Sequence, residues 1–173
     1  MIYDTQGKKA PIEYKGFKSK LEYIAVEWLT NECKLKILYE PFTYKTKIGN
    51  YTPDFYCKET NQYFECKPNI NFANTDLYLQ FCEEKQTELI IITPEKLYMY
   101  DFDFECNNYE TSEVLIIKCS KCNMTSFVEQ SGNYYCRNCK NHDGMHDIRK
   151  AKSIIKFKDY YSIISKKLRG VYE

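Results

Sequence analysis

No apolar run in this 173-residue sequence is long enough to cross a lipid bilayer. The N-terminal stretch MIYDTQGKK also lacks the apolar core of a secretory signal. With 43% hydrophobic and 28% charged residues, the composition is ordinary for a soluble globular protein and excludes wholesale disorder. We therefore expect no membrane partner and a cytoplasmic location, which would be the host cytoplasm if the protein is viral.

Arginine is scarce, and its distribution is informative. Net charge is only +1, but residues 1–118 carry 14 Lys against 19 Asp and Glu, whereas residues 119–173 carry 11 Lys and Arg against 5 acids. All three arginines lie in that second part. Because Arg suits bidentate phosphate contact, we expect the last third of the chain to bind a polyanion.

Nine cysteines are present, and four of them form a pattern. Cys33, Cys57, Cys66, Cys82 and Cys106 are scattered, as packed reduced thiols are. The remaining four, Cys119, Cys122, Cys136 and Cys139, make a Cx2C-x13-Cx2C pattern, which is typical of a four-thiolate zinc site in a reducing compartment. The zinc site could contact DNA, or its role could be purely structural. His142 and His146 are expected to be surface residues.

The apolar and turn patterns predict an α/β protein. They indicate a helix over 18–33, strands over 36–47, 51–57 and 63–67, a helix from 74 or 75 to about 86, a strand over 89–93 and an edge strand over 97–100. Residues 101–113 are turn-rich, 114–118 lead into the first cysteine pair, and 147–168 are predicted to be a helix. We divide the chain into a core (1–105), a linker and lead-in strand (106–117), a zinc ribbon (118–146) and a basic C-terminal helix (147–173).

The stretch YTPDFYCKETNQYFECKP, residues 51–68, predicts a hairpin with polar residues on one face. A loop over 58–61 that pairs Cys57 with Gln62 would put Asp54 opposite Glu65. Facing residues of an antiparallel pair have Cβ atoms roughly 5 Å apart. Lys67 follows on the same face, because side chains alternate along a strand.

Two carboxylates that close together can share a divalent metal. Mg²⁺ or Mn²⁺ prefers oxygen ligands, and the metal polarises a phosphoryl oxygen and lowers the pKa of bound water. The backbone carbonyl of Cys66 is a further candidate ligand. Lys67 could orient the water or offset charge that develops on phosphate. Asp54, Glu65 and Lys67 thus predict phosphodiester hydrolysis.

Pro53-Asp54 followed by Glu65-Cys66-Lys67 resembles the signature of the PD-(D/E)xK nucleases. Within them, residues of about 15–100 are most similar to the phage endonuclease I family of Holliday-junction resolvases, in the order FKSKLE (17–22), YE (39–40), YTPDF (51–55) and ExK (65–67). The resemblance implies a restriction-endonuclease-like core of helix, three-stranded antiparallel meander, helix and strand. It also implies a catalytic set of Glu22, Asp54, Glu65 and Lys67, and a possible homodimer.

Two features qualify what the resemblance implies. Ser19-x-x-Glu22 is also a capping box, in which Glu22 would bond the backbone N–H of Ser19 and take no part in chemistry. The phage family lacks a four-cysteine ribbon, so residues 101–173 lie outside the resemblance. The absence of histidine before residue 142 excludes nucleases that need a catalytic histidine within this motif.

The basic part of the chain is the predicted DNA-binding surface, with branched DNA as one candidate substrate. Basic residues flank the cysteines and continue into the last predicted helix; the candidates are Lys121, Arg137, Lys140, Arg149, Lys150, Lys152 and Lys156. The primary hypothesis is a metal-dependent endonuclease that resolves four-way junctions. The alternatives are a catalytically inactive zinc-ribbon DNA-binding protein, or the same fold used in mismatch nicking, transposition or restriction.

Overall fold

The computed structural model describes residues 15–70, 74–94, 97–100, 111–129, 134–136, 138–141 and 144–169. For residues 99–100, 111, 127, 129 and 147–152 it describes the backbone alone. Residues 101–110 with Cys106, together with Arg137 and His142, lie outside the described residues, so the predictions made for them stay predictions.

The described residues form a mixed α/β structure with three helices and a mixed sheet. The elements in chain order are α1 (Lys20–Asn31), β1 (Ile37–Tyr39), β2 (Tyr44–Lys45), β3 (Asn50–Tyr51), β4 (Phe55–Cys57), β5 (Gln62–Cys66), α2 (Thr75–Lys85), β6 (Glu88–Ile92), β7 (Leu97–Tyr100), β8 (Thr111–Cys119), β9 (Thr125–Glu129), β10 (Met145–Ile154) and α3 (Phe157–Leu168).

One large sheet has the strand order β1-β4-β5-β6-β7-β10-β8-β9. Its first three strands are antiparallel neighbours, β5 and β6 are parallel, and the later pairs are antiparallel. Strands β2 and β3 form a separate small hairpin. Since β8 and β10 carry the sheet onward from β7, it continues across the boundary that the sequence suggested between core and ribbon.

Two apolar clusters lie on opposite faces of the sheet. One includes Phe55 and Phe64 and is covered by α1 and by the start of α3, where Trp28 meets Phe157 with ring centroids 5.5 Å apart. The other includes Tyr63 and is covered by α2. Adjacent residues of β5 therefore point to different clusters, as strand alternation requires.

Local signals in the sequence account for the first two helices. The Ser19 side chain accepts the Glu22 N–H at the start of α1, and Asn74 does the same for Leu77 at the start of α2. Helix α2 is followed by Gln86 in the left-handed conformation, with φ of 49°. Both predicted helices are confirmed within two residues at each end. No helix within the described ranges combines the length and apolar character needed to span a bilayer.

Three strand predictions need correction. Residues 36–47 were expected to form one strand, but β1 ends at Tyr39 and β2 begins at Tyr44 in the separate hairpin, because Glu40 has a left-handed φ and Pro41 has no N–H to donate to a ladder. Residues 51–57 were expected to form one strand, but β3 ends at Tyr51 and β4 begins at Phe55, because Pro53 has no N–H to donate to a ladder. Residues 97–100 were expected at an edge of the sheet. They instead lie between β6 and β10, which are bonded to β7 on its two sides.

The predicted helix over 147–168 is wrong in its first half. Residues up to Ile154 belong to β10, and the helix begins only at Phe157. The positions of Ile148, Ala151 and Ile154 fit a helical period, but β10 has two antiparallel neighbours, and their hydrogen bonds outweigh the local pattern.

Candidate functional site

The predicted register of the 51–68 hairpin is confirmed. Cys57 pairs with Gln62, and Phe55 pairs with Phe64. Asp54 lies one residue before β4, where its Oδ2 accepts the backbone N–H of Cys66 at 2.7 Å. This bond ties Asp54 to the end of β5, next to Glu65.

Glu65 is buried, with 5% of its surface exposed, and its carboxylate is held by three donors. Tyr51 Oη donates to Oε2 at 2.8 Å, while Tyr78 Oη donates to Oε1 at 3.3 Å. Lys67 Nζ forms an ion pair with the same Oε1 at 2.6 Å. Glu65 and Lys67 therefore lie on one side of the sheet, as alternation predicted.

The electrostatics of Asp54 show an excess of negative charge. Burial and the neighbouring Glu65 carboxylate raise the pKa of Asp54 to about 8, although the Cys66 N–H and the Lys67 ammonium act in the opposite direction. Burial also disfavours the Lys67 ammonium, but Glu65 and Asp54 together outweigh it and raise the Lys67 pKa above its ordinary value. The pair of acids thus favours a proton or another cation between them.

Glu22 is buried and lies close enough to Asp54 to act on it electrostatically. Its carboxylate is nevertheless hydrogen-bonded to other groups. It accepts the Lys18 N–H at 3.1 Å, the Ser19 hydroxyl at 3.0 Å and the Tyr39 hydroxyl at 2.8 Å. The capping box is therefore present, but Glu22 accepts the backbone N–H of Lys18 rather than that of Ser19, which was the expected donor.

Lys18 and Glu40 adjoin the site; both belong to stretches that carry the family resemblance, but neither was among the predicted site residues. The Lys18 ammonium pairs with the Glu40 carboxylate and also interacts with Glu22 and Asp54. The Glu40 N–H donates to the Asp54 carbonyl at 2.8 Å, in the left-handed conformation with φ of 40°. Glu40 therefore lies directly beside the hairpin.

Glu22, Glu40, Asp54 and Glu65 do not provide three carboxylates that converge as metal ligands. In the parts of the chain that the structure describes, a group of three or more converging ligands is formed by the four cysteines alone. Asp54 and Glu65 could provide two carboxylate ligands. This number suits Mg²⁺, which is usually bound by one or two carboxylates, with water and substrate phosphate completing an octahedron.

The four predicted zinc ligands do converge. Their sulfur atoms all lie within 4.8 Å of one another, with Cys119 and Cys139 3.6 Å apart and Cys122 and Cys136 3.5 Å apart. These separations are too long for a disulfide. They are close to the value of about 3.8 Å that a tetrahedron with Zn–S bonds of about 2.3 Å requires. The cluster is thus compatible with a structural zinc site.

The two cysteine knuckles have the same backbone geometry. In each, the N–H of the first cysteine donates to the carbonyl five residues later, from Cys119 to Met124 at 3.0 Å and from Cys136 to Asn141 at 2.8 Å. The residue after each second cysteine, Asn123 or Lys140, has positive φ. Backbone N–H groups, that of Cys122 foremost, lower the pKa of the Cys119 thiol, whereas burial raises the pKa of the Cys139 thiol.

The predicted DNA-binding residues are only partly described. Lys121, Lys140 and Lys156 are exposed. Arg149, Lys150 and Lys152 lie on β10 rather than on a helix, and Arg137 is outside the described residues. Helix α3 and its C-cap add four exposed basic residues to these candidates: Lys158, Lys166, Lys167 and Arg169.

No protein-family model matches this chain, and no curated protein matches its sequence. The resemblance to PD-(D/E)xK nucleases therefore depends on the motif residues and on their arrangement.

Proposed function

We propose that the protein is a Mg²⁺- or Mn²⁺-dependent DNA endonuclease with a PD-(D/E)xK active site on a restriction-endonuclease-like core. The observation that carries the proposal is the convergence of Asp54, Glu65 and Lys67 at the open end of the β4–β5 hairpin. Buried Glu65 and partly buried Asp54, when both are ionised beside the single Lys67 ammonium, carry an excess negative charge that a divalent cation would neutralise. If Lys67 served only in a structural ion pair, Glu65 alone would be a sufficient partner.

Asp54 and Glu65 would hold the metal, with the Cys66 carbonyl as a further candidate ligand. When bound, the metal would polarise the scissile phosphate and acidify a water. Lys67 would act on that water or on the phosphate, because its ammonium contacts Glu65 and its side chain remains 27% exposed. Its raised pKa keeps it cationic at neutral pH, which suits charge stabilisation better than proton abstraction. Glu22 has a supporting role, since its carboxylate already accepts three hydrogen bonds.

The basic C-terminal part is proposed to supply DNA affinity that the acidic core cannot. Residues 149–169 contain eight Lys and Arg against a single acid, Asp159. Exposed lysines on α3 and on the knuckles could neutralise backbone phosphates, which makes binding strongly salt-dependent and independent of sequence. Four-way or other branched DNA is the proposed substrate. Zinc is proposed to hold the two cysteine knuckles together in a reducing cytoplasm.

A cleavage panel tests the proposal. Purified zinc-loaded protein is incubated with labelled linear, mismatched and four-way DNA, and with single-stranded RNA, in Mg²⁺ or in EDTA. We expect cleavage of DNA in Mg²⁺ alone, with the branched substrate cut fastest. Tight binding without cleavage of any substrate would contradict the enzyme proposal and favour the DNA-binding alternative. Equal rates on all DNA substrates would retain the nuclease and reject the junction preference.

A further inference from the structure

The Glu65 carboxylate has almost no unused hydrogen-bonding capacity. A carboxylate offers about four lone-pair sites, two on each oxygen. Tyr78 and Lys67 occupy both sites of Oε1, and Tyr51 occupies one site of Oε2. Among the described donors, this leaves a single site on Oε2. Glu65 is therefore arranged to bind a cation through one oxygen, which is the oxygen that Tyr51 holds.

The two tyrosine side chains reach Glu65 from different elements. Tyr51 ends β3 of the small hairpin, and Tyr78 lies on α2. Their rings pack against each other with centroids 5.3 Å apart, and Tyr51 also packs on Phe81 at 4.8 Å. Both are buried, with 5% and 3% of their surface exposed. Ring packing alone would be served by phenylalanine, so the hydroxyl groups need a separate explanation.

We propose that Tyr51 and Tyr78 are positioning residues that fix Glu65 as a single-oxygen metal ligand. This inference rests on the proposed nuclease function and adds two residues to its site. Each hydroxyl restrains rotation of the carboxylate plane, and together with the Lys67 ammonium they leave one lone-pair site of Oε2 that would bind the metal. Partners of this kind usually change metal affinity or activity by about 10- to 100-fold when removed.

The test compares Tyr51→Phe and Tyr78→Phe with the matched control Tyr63→Phe. Tyr63 belongs to the same aromatic cluster and is equally buried, but its hydroxyl bonds to Tyr44 at 2.8 Å and not to Glu65. Mn²⁺ binding to zinc-loaded protein is measured from the electron paramagnetic resonance signal of free Mn²⁺. The Mn²⁺ dependence of DNA cleavage and the KM for DNA are measured alongside.

We expect Tyr51→Phe to raise the Mn²⁺ concentration at half-saturation by about 10-fold or more, with KM for DNA unchanged. Tyr78→Phe should raise it less, because its bond is longer and lies on the other oxygen. Tyr63→Phe should bind Mn²⁺ like the wild type, and all three should melt as folded proteins.

Two results would overturn the inference, and they are distinguishable. If wild-type protein binds Mn²⁺ and cleaves DNA, but Tyr51→Phe shows the metal dependence of the Tyr63→Phe control, the positioning role is wrong and the nuclease stands. If wild-type protein neither binds Mn²⁺ at this site nor cleaves DNA, the proposed function fails and the positioning role fails with it.

Discussion

The carboxylate site and the four-cysteine cluster are built on opposite plans. The cysteines provide four similar ligands that converge within 4.8 Å and can complete a tetrahedral shell. The carboxylate site provides two acids, Asp54 and Glu65, and its third charged group is the Lys67 ammonium. Closed shells are typical of structural metals, and open ones of catalytic metals, which need free positions for water and substrate. Under the proposed function, the cysteine cluster stabilises the fold and the carboxylate site is the catalytic one.

They also differ in how they are assembled. Each knuckle is formed by about six consecutive residues with one repeated hydrogen-bond pattern. The carboxylate site draws Tyr51, Asp54, Glu65 and Tyr78 from two hairpins and a helix. A change at the cysteines should therefore act on stability, and a change at the acids should act on activity and metal response.

The largest effect on stability is expected from Cys139→Ser. Losing one thiolate removes a ligand from the proposed zinc site, and structural zinc sites contribute on the order of 10 kcal/mol of binding free energy in small domains. We expect zinc content to fall from one per chain towards zero and thermal melting to broaden and shift down. Cys33→Ser, which changes a cysteine outside the cluster, is the control. Full zinc content in Cys139→Ser would contradict the four-thiolate assignment.

The largest effect on catalysis is expected from Lys67→Ala. Removing the ammonium should lower the cleavage rate by at least about 100-fold, as loss of a group that stabilises transition-state charge does. DNA binding should change little, since the basic residues of α3 remain. The control is Lys36→Ala, which removes an exposed ion pair with Glu59. Cleavage by Lys67→Ala at the control's rate would remove Lys67 from the mechanism.

The same contrast explains what could be predicted from sequence. The knuckles and the hairpin register follow from spacing and alternation within about 20 residues, and the spacing alone identified all four cysteines. The hairpin likewise brought Asp54 and Glu65 together because a short loop over 58–61 fixes the pairing.

The strand breaks at Pro41 and Pro53 have local causes, but the other errors concern contacts between distant parts of the chain. Residues 147–154 form a strand because β7, about 50 residues earlier, and β8 supply its partners, and no local pattern reports them. The hydrogen bonds from Tyr51 and Tyr78 to Glu65 could not be predicted for a similar reason. The chain has 17 tyrosines, and their spacing does not indicate which hydroxyl meets a buried acid. A buried Glu within a tyrosine-rich strand pair was the one available signal.

A moderate effect is expected from Asp54→Asn, and it depends on pH. In the metal-free protein the folded state holds a proton on Asp54 up to a pKa of about 8, above the ordinary value of 3.8, so stability falls as pH rises between these values. Glu65 and Glu22 raise this pKa, whereas Lys67 and the Cys66 N–H lower it. Asn still accepts the Cys66 N–H without the charge. We expect it to stabilise the metal-free protein at pH 8 by about 1–3 kcal/mol.

Melting curves between pH 4 and pH 9, with and without Mg²⁺, measure this effect. Wild-type protein should lose stability with rising pH and regain it on addition of Mg²⁺, whereas Asp54→Asn should show a weaker pH dependence and little response to Mg²⁺. The same Mg²⁺ response in both proteins would show that the ion binds elsewhere.

The smallest effect is expected from Glu22→Gln. The Glu22 carboxylate caps α1 and bonds Tyr39, so the substitution should cost about 1 kcal/mol of stability, measured by denaturant unfolding. Cleavage should fall less than about 10-fold, far less than for Lys67→Ala. A loss equal to that of Lys67→Ala would place Glu22 in the catalytic set that the phage family resemblance implies.

The most direct measurement is the location of bound Mn²⁺ by anomalous diffraction from crystals of the zinc-loaded protein soaked in Mn²⁺. We predict a manganese peak about 2.2 Å from Asp54 and from Oε2 of Glu65, separate from the zinc peak among the four cysteines. A zinc peak with no manganese between Asp54 and Glu65, at Mn²⁺ concentrations that support cleavage, would contradict it.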